Sequence, residues 1–277
     1  MQGKNAGLYI KKSVIYLFLS LYALGSIFPF YWTLISSLKN SNEILVYPLQ
    51  LPKAVKLANY SAAWIQGEIG MYYINTFIVS FAPVVLVLLF ASMAAYVLAR
   101  VRPNFTLYSY FIVGIMIPVQ VMLLPSFRMI KTFGLGSTKL GLILVYTAVN
   151  LSLAIFMLYG FMKSIPFEIE DSAVVDGCSK ARTFFSIIFP LSKPGLATVG
   201  ILTLINCWNE YLIPLVLISK KQNNVLSIAI RNLQSEFITD YGLLTAGIII
   251  SILPVIILYI LFQEQVIKGM TAGAVKG

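Results

Sequence analysis

The residues of this sequence best equipped for chemistry stand inside apolar segments. Asn206, Trp208, Asn209, Glu210 and Tyr211 fall within one short stretch. A carboxylate in a membrane interior costs about 2.5–3.5 kcal/mol on insertion scales, so Glu210 is expected to face a polar interior. Amides and a carboxylate offer hydrogen-bond partners to hydroxyl groups. The rings of Trp208 and Tyr211 offer flat apolar faces to C–H groups. Together these are the contacts that a sugar requires. A second reading of Glu210 stays open, in which it pairs with a polar group on another helix or lies by a gate. Gln120, Tyr146 and Asn150 belong to the same class, although packing and interhelical hydrogen bonds account for them equally well.

Other chemistries find little to work with. The chain has no histidine, which removes the usual general base and the commonest metal ligand. Its two cysteines, Cys178 and Cys207, fall in a polar loop and an apolar segment, so neither a disulfide framework nor a thiolate metal site is expected. There is no Gly-x-x-x-x-Gly-Lys-Ser/Thr run to cradle a nucleotide. No catalytic residue, metal ligand set or cofactor bound by this chain is expected. If ATP drives the protein, the ATPase must be a separate chain. Ser80, Ser92 and Ser251 are expected to hydrogen-bond backbone carbonyls inside their helices.

The elements that position these residues are long apolar helices. Of the 277 residues, 59% are hydrophobic and only 11% charged, and the apolar residues come in long runs. An all-α, polytopic membrane protein follows. Each span needs about 20 apolar residues, and six can be drawn, at 13–36, 73–98, 106–125, 140–161, 196–218 and 242–262, within a single domain over 1–277. The first has too long an apolar run, and no small-residue cleavage site, for a signal peptide. Pro29, Pro83, Pro118, Pro214 and Pro254 lie inside spans, and each is expected to kink its helix. Ala91, Ala94, Ala95, Ala99, Ala246 and Gly247 suit close helix packing. The net charge of +10 is scattered among the spans, which fits an anionic lipid surface rather than nucleic acid. An even number of spans puts both termini on one side. Eleven positive residues share that side and nine lie opposite, a bias too small to orient the chain.

One polar stretch, 162–195, interrupts this pattern. Pro166 suits a first helical turn, and Glu168, Glu170 and Asp171 favour the positive end of a helix dipole. Gly177 offers a stop. Ser179 can cap a second short helix, in which Ala181, Phe184, Phe185 and Ile188 share a face. The spacing predicts a helix–turn–helix with an exposed aromatic knob, suited to docking.

Asp171-Ser172-Ala173, two residues, Asp176-Gly177-Cys178 and then Pro190 resembles the cytoplasmic EAA loop of ABC importer membrane subunits. Asp171, Ser172 and Cys178 replace the family's Glu, Ala and Ala. All three are small changes of size, and only the reach of the acidic group at 171 differs. Further matches occur in order: Phe28-Pro29-Phe30, Ser37-Leu38-Lys39, Asn59-Tyr60, Asn75-Thr76, Ala95-Tyr96 with Ala99-Arg100, Pro118-Val119-Gln120 with Pro125, Trp208-Asn209-Glu210, and the tail Thr271–Gly277. Over nearly the whole chain the set resembles the shorter of the two membrane subunits in binding-protein-dependent sugar importers of the maltose type.

That resemblance implies a permease subunit that moves a carbohydrate, an oligosaccharide by default, across the cytoplasmic membrane of a prokaryote by alternating access. It implies a second, homologous permease subunit, two ATP-binding subunits holding ATP and Mg, and an extracytoplasmic sugar-binding protein. Both termini would be cytosolic. Glu168, Glu170, Asp171, Ala173, Asp176, Gly177, Arg182, Phe184, Phe185 and Pro190 would couple to the ATPases. The tail, too glycine-rich for a stable helix alone, would insert at the ATPase surface. Two rivals stay open. A self-contained secondary transporter needs its own coupling-ion site and internal repeats, of which the sequence offers one intramembrane carboxylate and no evident repeat. A membrane scaffold explains the spans but not the docking stretch.

Overall fold

The computed structural model describes residues 2–234 and 239–274; the side chains of 2–10 and 265–274 lie outside that description. The helices in chain order are α1 (Gln2–Ser37), α2 (Ser41–Val46), α3 (Ala58–Gln66), α4 (Ile69–Tyr96), α5 (Phe105–Ile115), α6 (Val119–Thr132), α7 (Lys139–Lys163), α8 (Glu168–Val175), α9 (Lys180–Thr183), α10 (Phe189–Leu191), α11 (Lys193–Asn209), α12 (Leu212–Leu217), α13 (Leu226–Asn232) and α14 (Tyr241–Ala274). Five-residue π-turns extend α4 (Val97–Val101) and join α9 to α10 (Phe184–Ile188). No strand occurs among the described residues, and the architecture is that of an all-α polytopic membrane protein. Short polar side chains start several helices: Asn40, Asn104, Thr138 and Ser179 each accept a hydrogen bond from a backbone N–H three residues on.

Four helical segments are long and apolar enough to cross a membrane: Lys11–Ser37, Ile69–Val101, Lys139–Lys163 and Tyr241–Glu264. Two further helix pairs meet the same test of length and apolarity only when taken together, Phe105–Ile115 with Val119–Thr132, bent by 100°, and Lys180–Leu191 with Lys193–Asn209, bent by 75°. The run expected as one helix over 106–125 is therefore broken. Pro118 sits at the break with extended backbone, where its missing N–H and fixed φ suit the start of α6. The run expected over 196–218 is broken as well, at Glu210, whose backbone is extended. Prolines do not all act alike. Pro29, Pro83 and Pro254 lie within uninterrupted helices, whereas Pro118 and Pro214 accompany the breaks. The last helix also departs from expectation, since its backbone stays helical through Ala274 instead of ending near Gln263.

The residues group into two compact units. The first comprises the chain up to Ile69 together with Ile230–Ile252. Its organising side chain is Asn59, which donates to the carbonyls of Ser37 at 2.8 Å and Lys39 at 2.7 Å. Ser37 Oγ lies 2.7 Å from the Tyr60 hydroxyl, and the fully buried Lys39 donates from Nζ to the Tyr47 carbonyl at 3.0 Å. Asp240 Oδ1 caps α14 by accepting from the N–H groups of Gly242 and Leu243. The Ser37-Leu38-Lys39 and Asn59-Tyr60 motifs are thus one hydrogen-bonded corner.

The second unit comprises Gly70–Ala229 together with the residues from Leu253 on. Both α5 and α11 pack along α7. Two apolar clusters form its core. One joins Ala91, Ala95, Ala99, Leu158, Met162, Phe184 and Ile188. The other joins Val79, Leu142, Tyr146, Ile213 and Leu217. The alanines fill the close-packing role expected of them. Ser92 and Ser251 donate to carbonyls within their own helices, as expected, but the Ser80 hydroxyl is buried without a partner among the described residues.

Candidate functional site

A cavity of about 380 Å³ lies where the broken helices meet α7. Its polar lining is Tyr146 and Asn150 from α7, Asn206 and Asn209 from α11, and Glu210 at the α11–α12 break. Asn206 Nδ2 donates to Asn150 Oδ1 at 3.3 Å, and Asn150 Nδ2 donates to the Tyr146 carbonyl at 2.8 Å. Asn206 and Asn209 are exposed to the cavity, three residues apart on one helical face. Of the residues expected along a solute path, the structure brings together Asn150, Asn206, Asn209 and Glu210. It does not add Trp208, Tyr211 or Gln120. Trp208 lies two residues from Asn206, about 200° around the helix, and is buried edge-on against Tyr73 with ring centroids 5.6 Å apart. Tyr211 packs against the apolar cluster around Leu142 and Ile213. Gln120 is exposed on α6 outside the cavity lining.

The Glu210 carboxylate finds hydrogen-bond partners within its own segment. Its Oε1 accepts from the N–H of Leu212 at 2.7 Å and of Ile213 at 3.1 Å. Pro214 has no N–H, and Leu215 N–H reaches the Tyr211 carbonyl at 3.1 Å. Every donor in the first turn of α12 is thereby satisfied or absent, as a helix break within a membrane demands. The partner of the carboxylate is the next turn of its own segment, not another helix. Ser227 Oγ donates to the Glu210 carbonyl at 2.9 Å and ties the break to α13.

A second set of side chains, beyond the solute-path candidates, holds the segment after α12. Asn75 Nδ2 donates to the carbonyls of Gln222 at 2.9 Å and Asn224 at 2.8 Å, and Lys139 Nζ donates to Asn75 Oδ1 at 2.8 Å. Thr76 Oγ1 accepts from Leu226 N–H at 2.8 Å. Ser137, in the left-handed region at φ 56°, accepts from the N–H groups of Ser219 and Lys220. The Asn75-Thr76 motif is thus an anchor for 219–226.

The docking stretch takes the expected local form. Glu168, Glu170 and Asp171 occupy the first turn of α8, Gly177 turns the chain at φ 75°, and Ser179 Oγ accepts from Arg182 N–H. Its faces are divided differently from expectation. Phe184 is only 3% exposed and packs against Tyr96 and Phe189, whereas Phe185 is 55% exposed. The knob is therefore Phe185, and Val174 and Val175 of the same stretch are open as well. Adjacent helical positions point about 100° apart, so Phe184 enters the core while the Phe185 ring stays open, resting edge-on against Phe184 with centroids 4.8 Å apart. Glu168, Asp171, Asp176, Gly177, Arg182 and Pro190 are exposed, while Glu170 and Ala173 are buried.

Glu170 turns inward to a partner that the sequence reading missed. Arg100 Nη1 lies 3.0 Å from Glu170 Oε1, with both side chains out of solvent. Arg100 also donates to the Met162 carbonyl from Nε at 3.1 Å and Nη2 at 2.7 Å, and to the Ile165 carbonyl. Its guanidinium lies 4.2 Å from the centre of the Phe167 ring. Tyr96 donates to Glu170 Oε2 at 3.5 Å. In the sequence Arg100 stands out only as part of the Ala95-Tyr96 with Ala99-Arg100 match and as one of the scattered positive residues. The available signal was its spacing: Tyr96 and Arg100 stand four apart beside the alanine face 91, 95 and 99.

Known proteins share this fold. Residues 87–271 match the family described as binding-protein-dependent transport system inner membrane component. The chain is 36% identical over 259 residues to the diacetylchitobiose uptake system permease protein of Streptomyces coelicolor, covering 92% of this chain and 86% of that one. It is 34% identical over 261 residues to the sulfoquinovosyl glycerol transport system permease protein of Agrobacterium fabrum, covering 93% and 92%. The fold matches a chain of a bacterial ABC transporter involved in import of the acidic polysaccharide alginate, with a TM-score of 0.81, 22% identity and coverage of 92% and 96%. Neither a self-contained secondary transporter nor a scaffold fits this membership. Helix breaks around a polar cavity, a helix–turn–helix stretch and these matches agree: the chain belongs to the inner membrane component family of binding-protein-dependent transport systems, as a multi-pass transport subunit whose ATPase resides on separate chains.

Proposed function

We propose that this chain is one of two homologous permease subunits that carry a carbohydrate, an oligosaccharide by class, across the cytoplasmic membrane. Two ATPase subunits dock on the loops of the two permeases, 162–195 in this chain, and an extracytoplasmic binding protein delivers the solute. The observation that carries the reading is the cavity lined by Tyr146, Asn150, Asn206, Asn209 and Glu210. Three amides, a phenol and a carboxylate offer many directional partners to a polyhydroxylated solute and few to an apolar one. The names of the relatives, uptake systems for diacetylchitobiose and for sulfoquinovosyl glycerol, support the same class.

In this reading both termini and the docking stretch are cytosolic. The exposed Phe185, Val174 and Val175 supply the apolar contact with the ATPase, and Glu168, Asp171, Asp176 and Arg182 supply a charged rim. Residues 269–277 reach the ATPases; their side chains lie outside the described residues. ATP-driven closure of the ATPases moves the stretch and exposes the cavity alternately to the two sides.

The test is uptake into proteoliposomes containing the complete complex, offered diacetylchitobiose, raffinose and maltotriose. ATP- and binding-protein-dependent accumulation of at least one is expected. A complex that hydrolyses ATP in response to a peptide or ion, and accumulates no saccharide, overturns the reading. Deleting 269–277 is expected to lower solute-stimulated hydrolysis and leave insertion intact.

A further inference from the structure

The eight residues of α8 are too few for a helix to be stable alone. Its packing on the bundle is slight, with Ala173 and Glu170 buried and Ile169 half-buried against the core around Leu158 and Met162. Beside that packing, the charge contact of Glu170 with Arg100 fixes its position. The same guanidinium donates to the carbonyls of Met162 and Ile165, at and just beyond the C-terminal end of α7. It thus complements the negative end of that helix dipole while countering a carboxylate in the first turn of α8. One side chain, carried on the π-turn that ends α4, joins three segments. α7 leads from this joint to the cavity, since Asn150 lies twelve residues from Met162, about 18 Å along the helix.

An apolar contact can slide by an ångström at little cost. A buried charge pair cannot, because movement leaves both charges uncompensated in a low dielectric. The joint is therefore stiff where the rest of α8 is loosely held. We propose that Arg100 and Glu170 are the positioning pair that makes the docking stretch move together with α4 and α7, so that displacement by the ATPases reaches Asn150 and the cavity. The inference rests on the reading that 162–195 docks the ATPases. It also removes Glu170 from the group of side chains that meet them.

A reporter in the cavity tests this with ATP and Mg as the only added ligand. Cys178 and Cys207 are replaced by serine, and Asn206→Cys, next to Asn150, is alkylated with N-ethylmaleimide in the purified complex with its ATPases. In this parent protein, trapping the ATPases with ATP, Mg and vanadate is expected to change the alkylation rate by at least about fivefold, the lower end of ordinary coupling between sites. Glu170→Gln keeps the shape and removes the charge. It is expected to bring that change below about twofold, well under the coupling range, while the ATPases stay bound and hydrolyse ATP. An undiminished change in Glu170→Gln overturns the proposal.

If Glu170→Gln fails to insert, Arg100→Met/Glu170→Met decides, because apolar residues of similar size often replace a buried ion pair without loss of stability. Loss of the ATP response in the double variant supports the positioning role, and a full response overturns it. Failure of the docking reading shows separately, as ATPases that co-purify undiminished with Val175→Asp and Phe185→Asp. A parent reporter that ignores ATP overturns the proposal together with the alternating-access reading.

Discussion

The carboxylate of Glu210 accepts a hydrogen bond from the backbone N–H of Leu212, two residues along its own chain, at 2.7 Å. The only acidic residue of the fifth apolar run is a cap on the helix that follows it. Its charge serves the break first, and its remaining polar surface faces the cavity.

Glu210→Gln keeps a carbonyl oxygen in place and exchanges a charged acceptor for a neutral one, a loss of about 1 kcal/mol. Assembly is expected to survive, with a small fall in Tm. Glu210→Leu strands two backbone donors at about 1–3 kcal/mol each and is expected to lower Tm much further. Thermal unfolding of the detergent-solubilised complex ranks the two. Equal Tm values would show that the cap contributes nothing.

Gly177 is required for its backbone and not for space. A Cβ built there meets no atom of this chain within 4 Å, but φ is 75°. Gly177→Asn, tolerant of the left-handed region, is expected to retain solute-stimulated ATP hydrolysis. Gly177→Val, β-branched and strained there by more than about 1 kcal/mol, is expected to lose most of it. Equal activities in the two variants would place the constraint elsewhere.

Phe184 and Phe185 are adjacent and should fail differently. Phe184→Ala empties a buried site and is expected to cost about 3–5 kcal/mol of stability. Phe185→Ala leaves the fold alone and weakens retention of the ATPases. Parallel Tm and co-purification measurements separate the effects. Loss of ATPase from both variants, with unchanged Tm, would contradict the burial of Phe184.

Gly242 marks the tightest approach in the first unit. A Cβ there would lie 2.4 Å from the Lys39 carbonyl oxygen and 2.7 Å from Asn59 Nδ2. Gly242→Ala is expected to break the Asn59–Lys39 bond and cost about 1–3 kcal/mol. Protease sensitivity within 37–72 reports the loosened corner. A protection pattern like that of the parent would show that the backbone absorbs the methyl group.

The sequence alone determined the fold class, because long apolar runs leave the backbone no stable form in a membrane except helix or closed barrel. It also determined the Gly177 turn and the Ser179 cap, which depend on residues a few positions apart. The Asn206 and Asn209 pair was legible for the same reason, as neighbours on one helical face. Tertiary structure decided the rest. Whether Pro118 bends or breaks a span depends on what satisfies the freed backbone groups, and composition does not state that. The division of Phe184 from Phe185 came from the ring of Tyr96 and the core packed on Phe184 alone, which local spacing does not state. Trp208, between two cavity residues in sequence, went to the opposite side of α11. Glu170 was read by its position near a helix start, yet Arg100, seventy residues earlier, turned it inward. A buried charge takes whichever opposite charge the packed helices bring to it, and only the fold brought that one.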